Sequence, residues 1–172
     1  MSVPRYDIPK AAPDPLRTVQ LLVNSVDLTH DREWLGGWLE EQGIRPTKAA
    51  LRRAREVREA IRELLYENNR RRVSGDPQPT LRRAADAARL TLDLRKPQLV
   101  AHAGGVDGAL GRVLAVVFTA MLDGTWPRLK VCRKCEWAFY DNSKNRSGSW
   151  CSMQLCGNRL KTRAYRKRRS RT

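Results

Sequence analysis

The sequence predicts a mainly α-helical body with one small β-hairpin, an α+β arrangement, followed by a small cysteine-clustered module. Three observations predict it. Apolar residues recur at three- and four-residue spacing through most of residues 16–125, as in helices that bury one face. That period falls to two only where Leu90, Leu92 and Leu94 alternate with Thr91, Asp93 and Arg95. Lys96-Pro97 then turns the chain towards a second strand at Leu99 to His102. All four cysteines, Cys132, Cys135, Cys151 and Cys156, fall in one C-x₂-C-x₁₅-C-x₄-C cluster, two close pairs with enough chain between them to fold back.

Residues 1–15 hold four prolines and read as a flexible lead, without the apolar centre of a signal peptide. A first helix is expected from Leu16 to Thr29, with Leu21, Leu22, Val23 and Val26 as its apolar block. Asn24 lies inside that block. A buried amide needs partners, and these are nearby backbone groups or, alternatively, a ligand in a pocket. Asp31 is placed to cap a second helix on which Trp34, Leu35, Trp38 and Leu39 share a face, and Gly43 ends it. Thr47 caps a long helix to about Arg70. Leu51, Ala54, Val57, Ile61, Leu64 and Leu65 form its inner stripe, and Arg52–Glu56 and Arg55–Glu59 pair along its outside. After a loop at 74–79 come a short helix, Leu81 to Ala88, and the hairpin. Asp107 caps the last helix of the body, with Leu110, Val113, Leu114, Val117, Met121 and Leu122 on its core side, and Gly124 stops it. Trp126-Pro127 is a short, stiff connection, so the body (16–125) and the module (126–172) are expected to touch.

No apolar run looks long enough to cross a bilayer. No membrane partner is therefore expected, and the chain is placed in the cytoplasm, where clustered cysteines bind metal more often than they form disulfides. The net charge is +16, unevenly placed. From Arg128 to Thr172 there are 14 Lys/Arg against 2 Asp/Glu, while the rest of the chain holds 20 against 16. No acidic residue follows Asp141. Such a field attracts nucleic acid or an anionic surface. Catalysis is not expected: His30 and His102 lie far from the cysteines, no nucleophile–base arrangement is visible, and Gly104-Gly105 is too short for a phosphate loop.

The cysteine spacing suits four thiolates on one structural Zn²⁺, a closed site with no position left for water. Val131 to Cys135 is expected to turn the first two thiolates towards the metal, and Trp137 and Phe139 share one side of a strand beside it. A polar loop at 141–149 leads to Trp150 and the second pair. Gly157 then turns the chain, and Asn158 caps a helix into the tail. Two ligands from a turn and two at a helix start make a treble-clef-like arrangement. On the tail helix Arg159, Arg163 and Arg166 fall at i, i+4 and i+7, with Leu160 and Ala164 as a thin apolar stripe. The alternative for this tail is a solvated basic extension with no specific target.

Cys156-Gly157-Asn158-Arg159, with Trp150-Cys151-Ser152-Met153 before it and Lys161 after, resembles the CGNR zinc-finger family. Phe139, Asp141, Ser143, Asn145 and Arg146 are similar to the loop between its cysteine pairs, whereas Ser147-Gly148-Ser149 replace the basic residues usual before Trp-Cys. Leu22-Val23-Asn24-Ser25 is similar to a segment near the start of ABATE domains, which commonly precede this finger. The resemblance implies a zinc-dependent, DNA-binding bacterial regulator of transcription, cytoplasmic and nucleoid-associated. Its body would sense an unknown small-molecule effector or form a homodimer. On that reading Arg159, Lys161, Arg163, Arg166 and Lys167 neutralise phosphates, and Arg159 or Arg163 touches bases. Asn158 caps the helix and contacts the DNA backbone, Arg146 contributes from the loop, and Asn24 lines the effector pocket. The alternative is an RNA-binding or ribosome-associated zinc protein, which would share the metal and the charge. Loss of one thiolate is expected to unfold the module and leave the helical body largely folded.

Overall fold

Pro15 and the apolar run behind it start helix α1 at Leu16–Val23, shorter than the expected helix to Thr29. The chain leaves the helix at Asn24 and enters β1 (Val26–Asp27), which pairs antiparallel with β2 (Arg32–Glu33). Asp31 therefore caps no helix. It occupies the hairpin turn at φ 50°, a left-handed conformation that Asp tolerates through its short polar side chain. The structure, a computed structural model, describes residues 10–157. The expected tail helix, with Asn158, Arg159, Lys161, Arg163, Arg166 and Lys167, lies outside them.

Helix α2 (Leu35–Glu41) ends before Gly43, whose φ of 71° reverses the chain. Helix α3 (Lys48–Asn68) opens as expected on Thr47, whose hydroxyl accepts from the Ala50 N–H at 3.2 Å. Helix α4 (Gln78–Ala87) leads into β3 (Leu90–Asp93) and β4 (Gln98–Ala101), the predicted hairpin, which sets Leu90 opposite Ala101 and Leu92 opposite Leu99. Helix α5 (Gly105–Leu122) begins two residues ahead of Asp107, which sits in its first turn and forms an ion pair with Arg53. A 3₁₀ turn at Trp126–Arg128 delivers the chain to β5 (Leu129–Val131), paired with β6 (Ala138–Tyr140). Among the described residues the fold is thus mostly helical, with three small antiparallel hairpins where one was expected.

Two expectations about α5 change. Its 18 residues, at a mean hydropathy of 1.6, are long and apolar enough to cross a bilayer by length and composition. Here the helix is packed instead: Leu110, Val113, Leu114 and Val117 lie in the main core. Met121 and Leu122, expected inside, are 43% and 74% exposed: Met121 continues the buried row at the end of α5, and Leu122 falls four residues after Phe118 on the outward face.

The β5–β6 hairpin belongs to two cores at once. Its pairing puts Leu129 opposite Tyr140 and Val131 opposite Ala138, and these four join α1, α2, α3 and α5 in the main core. Phe139, on the opposite face by strand alternation, packs with Trp137 and the cysteines.

Both outer edges of this hairpin are buried, so their backbone groups need side-chain partners. On the β6 edge the Asn24 amide accepts from the Ala138 N–H at 2.7 Å and donates to the Ala138 carbonyl at 2.9 Å. Gln20 donates to that same carbonyl, and the Tyr140 N–H donates to the Lys10 carbonyl at 2.8 Å. On the β5 edge Asn68 donates to the Leu129 carbonyl and Asn69 to those of Val131 and Ser149. Residues 10–15, expected as part of a flexible lead, are held through the same groups: the Ala12 N–H donates to the Gln20 side chain at 2.7 Å.

Asn24→Leu keeps the branched shape of the side chain and removes both bonds to Ala138. It should cost about 1–3 kcal/mol, since the buried Ala138 N–H loses its partner while the Ala138 carbonyl keeps Gln20. Chemical denaturation checks this; a change under about 1 kcal/mol, the net value of one such bond, would contradict it.

Candidate metal centre

Cys132 follows directly on β5. Its carbonyl accepts from the Glu136 N–H at 3.0 Å and its N–H donates to the Trp137 carbonyl at 2.9 Å, closing a tight knuckle that brings Cys135 round. Glu136 makes the turn possible at φ 59° and is held there by the body. Its carboxylate accepts from the Tyr66 hydroxyl at 2.7 Å and from Arg71 at 3.0 Å, while its carbonyl accepts from Arg62 at 2.9 Å. Burial would raise the Glu136 carboxyl, but these donors hold it below its usual range. Burial and the Glu136 carboxylate push the Tyr66 phenol well up, so it stays a donor.

Of the second pair, Cys151 lies just before a wide π-type turn at Met153–Gly157 and Cys156 lies within it; the Ser152 carbonyl accepts from the N–H groups of Cys156 and Gly157. A β-carbon at Gly157 would lie 2.7 Å from the Met153 sulfur and 3.2 Å from the Trp150 ring, so a larger residue there would have to displace the Met153 side chain.

The four sulfurs lie within 4.8 Å of one another. Cys135 to Cys151 is 3.5 Å, Cys151 to Cys156 3.7 Å and Cys135 to Cys156 3.6 Å. A zinc ion about 2.3 Å from each of four thiolates has sulfur–sulfur edges of about 3.8 Å, whereas a disulfide needs about 2.05 Å. The donor set therefore fits one tetrahedral Zn²⁺, and the four cysteines fill every position of a structural site. Without a cation such sulfurs resist sharing charge. Hydrogen bonds from Cys135 and Cys151 draw the Cys132 thiol far down, while its bond to Cys132 pushes Cys135 up to about 12, and Cys151 rises further for the same reason. A bound dication favours the thiolate at all four. Trp34, Trp137, Phe139 and Trp150 close round the cluster.

The loop between the pairs, a merely polar stretch by sequence, is built on Asp141. Its carboxylate accepts from Lys130 at 2.8 Å, Ser143 at 3.0 Å and the Gly148 N–H at 2.7 Å. Both partners of the Lys130–Asp141 pair are buried. Burial alone would raise Asp141, but these donors hold it at about 2. A β-carbon at Gly148 would lie 2.6 Å from that carboxylate, so no basic side chain fits at this position. Arg146 is exposed at φ 50°, with its carbonyl tied to Lys130 at 2.6 Å. Asn24, the candidate for a ligand pocket, is fully buried in the body, with its amide on the Ala138 backbone. Arg62, Asn68, Asn69, Lys130 and Gln20 were missed as organising residues. The adjacent Asn68-Asn69 at the end of a long apolar-striped helix was the one visible signal.

A helical body sharing its core with a four-cysteine zinc hairpin defines a zinc-finger protein. Residues 128–169 match the CGNR zinc finger. Residues 16–124, more than half of the chain, match the family described as ABATE, "putative stress-induced transcription regulator", and the chain belongs to that family. No curated protein shows a significant match to the chain.

Because β5 and β6 are part of the main core, zinc removal should reach the helices. Chelation, or Cys156→Ser, should lower the thermal midpoint of the far-ultraviolet helical signal in one transition, rather than melt the module alone as its small size suggests. An unchanged helical transition after complete metal loss would show that the cores are independent.

The Asp141 carboxylate stabilises the fold fully above the unfolded pKa near 3.9, and that contribution is lost as pH falls towards about 2. Asp141→Asn should therefore cost about 3 kcal/mol at pH 7, because it strands buried Lys130. The gap should narrow only below about pH 4. Urea titrations at pH 7 and at the lowest pH where both proteins fold would show it.

Proposed function

We propose that this protein is a zinc-dependent DNA-binding regulator of transcription, acting on the bacterial nucleoid in the cytoplasm. One observation carries the reading. The 16 residues after Cys156 hold eight Lys/Arg and no Asp or Glu, on a chain that leaves a zinc-fixed turn. The two acids of the module are both used inward, Glu136 on Tyr66 and Arg71 and Asp141 on Lys130. They leave the tail's positive field largely unopposed.

In this reading zinc and the hairpin fix where the tail begins. Arg159, Lys161, Arg163, Arg166 and Lys167 neutralise phosphates, Arg159 or Arg163 reaches base edges, and Arg146 adds a contact from the loop. Asn158 starts the recognition segment. The body, residues 16–125, sets the activity of the finger, residues 126–172, through an effector or a second copy. The protein performs no catalysis of its own.

The test is selection of genomic fragments by the zinc-loaded protein at near-physiological salt with an RNA competitor present. A discrete DNA motif supports the reading; loss of all DNA to the competitor replaces it with RNA binding. On a selected fragment, Arg163→Ala and Arg166→Ala should each weaken binding and reduce the salt slope by about one unit. An unchanged slope would remove that residue from the interface.

A further inference from the structure

Helix α5 leaves a strip of apolar surface uncovered. Phe118 is 42% and Leu122 74% exposed, and both lie on the outward face with the half-buried Ala115. The neighbouring hairpin widens the strip. Leu90 and Ala101 sit beside α5 at Gly111, within 3.5 Å of where a β-carbon there would lie. Leu92, on the same strand face as Leu90, is 58% exposed. Large exposed apolar side chains gathered on one helix face and on the hairpin beside it mark an interaction site.

The charges at the ends of the strip say what covers it. Arg112 is exposed and makes no ion pair among the described residues. Asp123, fully exposed at the C-terminal end of α5, is held charged by hydrogen bonds from Thr125. The two are eleven residues apart, about three helical turns, so they lie on the same edge of the helix, about 16 Å from each other. When two copies of such a helix meet antiparallel about a two-fold axis, residues on one edge meet the same edge of the partner with the order reversed. Arg112 of each copy then faces Asp123 of the other, with Phe118 near the axis and the larger Leu122 towards the smaller Ala115. The pattern is self-complementary, as an isologous contact requires.

We propose that the protein is a two-fold dimer in which α5 packs antiparallel on α5 of a second copy, with the β3–β4 hairpins flanking the contact. This goes beyond the DNA-binding reading and stands or falls without it.

Light scattering on the full-length, zinc-loaded protein tests the pairing, with circular dichroism as the check on folding. At micromolar concentration the wild type should show twice the 19.7 kDa mass of one chain. Leu122→Glu should give a folded monomer. Arg112→Glu and Asp123→Lys should each weaken pairing about tenfold or more by setting like charges together. Mixed in equal amounts, those two variants should form a heterodimer. The glutamate introduced in one copy then meets the lysine introduced in the other, and the native Asp123 of the first meets the native Arg112 of the second. A monomeric wild type overturns the proposal. So does a dimer that survives both Leu122→Glu and Arg112→Glu, or a mixture of the two charge variants that pairs no better than either alone.

Discussion

A two-stranded hairpin buried on both edges leaves backbone donors and acceptors with no neighbouring strand to meet them. Each such group left without a partner costs about 1–3 kcal/mol. The interior chemistry of this protein answers that constraint. Asn24 stands where a third strand would run beside β6, offering Ala138 one acceptor and one donor at 2.7 and 2.9 Å. Asn68 and Asn69 do the same for β5. The Arg62 guanidinium bonds both the Val23 carbonyl, at 2.6 Å, and the Glu136 carbonyl, at 2.9 Å, so one buried cation joins the end of α1 to the zinc knuckle. The metal and these side chains are two halves of one solution. Zinc fixes the hairpin's far end, and the body supplies the hydrogen bonds its edges lack.

The same arrangement explains the charge of the module. A zinc ion with four thiolates contributes −2, and two carboxylates facing outward would subtract further from the module's positive charge. Both carboxylates are turned to internal work, and Lys130 and Arg128 are turned inward with them, Arg128 donating to the carbonyls of Asp141 and Ser143. Among the described residues of the module, the outward positive charge is thus left chiefly to Lys134, Lys144 and Arg146.

Much of this was legible in the sequence, and the exceptions share a cause. Thr47 as a cap, the alternation from Leu90 to Leu94 and the four cysteines are local signals: each depends on residues a few positions apart. The β1–β2 hairpin was missed because Leu21 to Val26 satisfies a helical period as well as a short helix followed by a strand. The choice is made by Ala138, 114 residues beyond the Asn24 that it binds. Lys130 and Asp141 read as ordinary surface charges until folding buries them together. Met121 fits the helical stripe that placed it inside, but a stripe cannot show where the covering layer stops, and Leu122 lies with Phe118 on the outward face. Buried polar residues in this protein answer partners distant in sequence, and a pattern read along one chain segment does not reach that far.

A shared core also limits how the two parts can communicate. A finger joined only by a flexible linker would report nothing about the state of the body. Here any change that shifts α1 or α3 moves Asn24, Arg62, Asn68 or Asn69, and so moves the strands that carry Cys132 and the knuckle. Small displacements in a packed core are not absorbed locally, because the interior has no free volume to take them up. If α5 pairs two copies, each finger is set at a fixed place relative to the two-fold axis, since α5 and β5 line one continuous core. The spacing between two recognition segments would then be a property of the body rather than of a linker. A DNA-binding regulator built this way would read half-site separation through the packing of its helices.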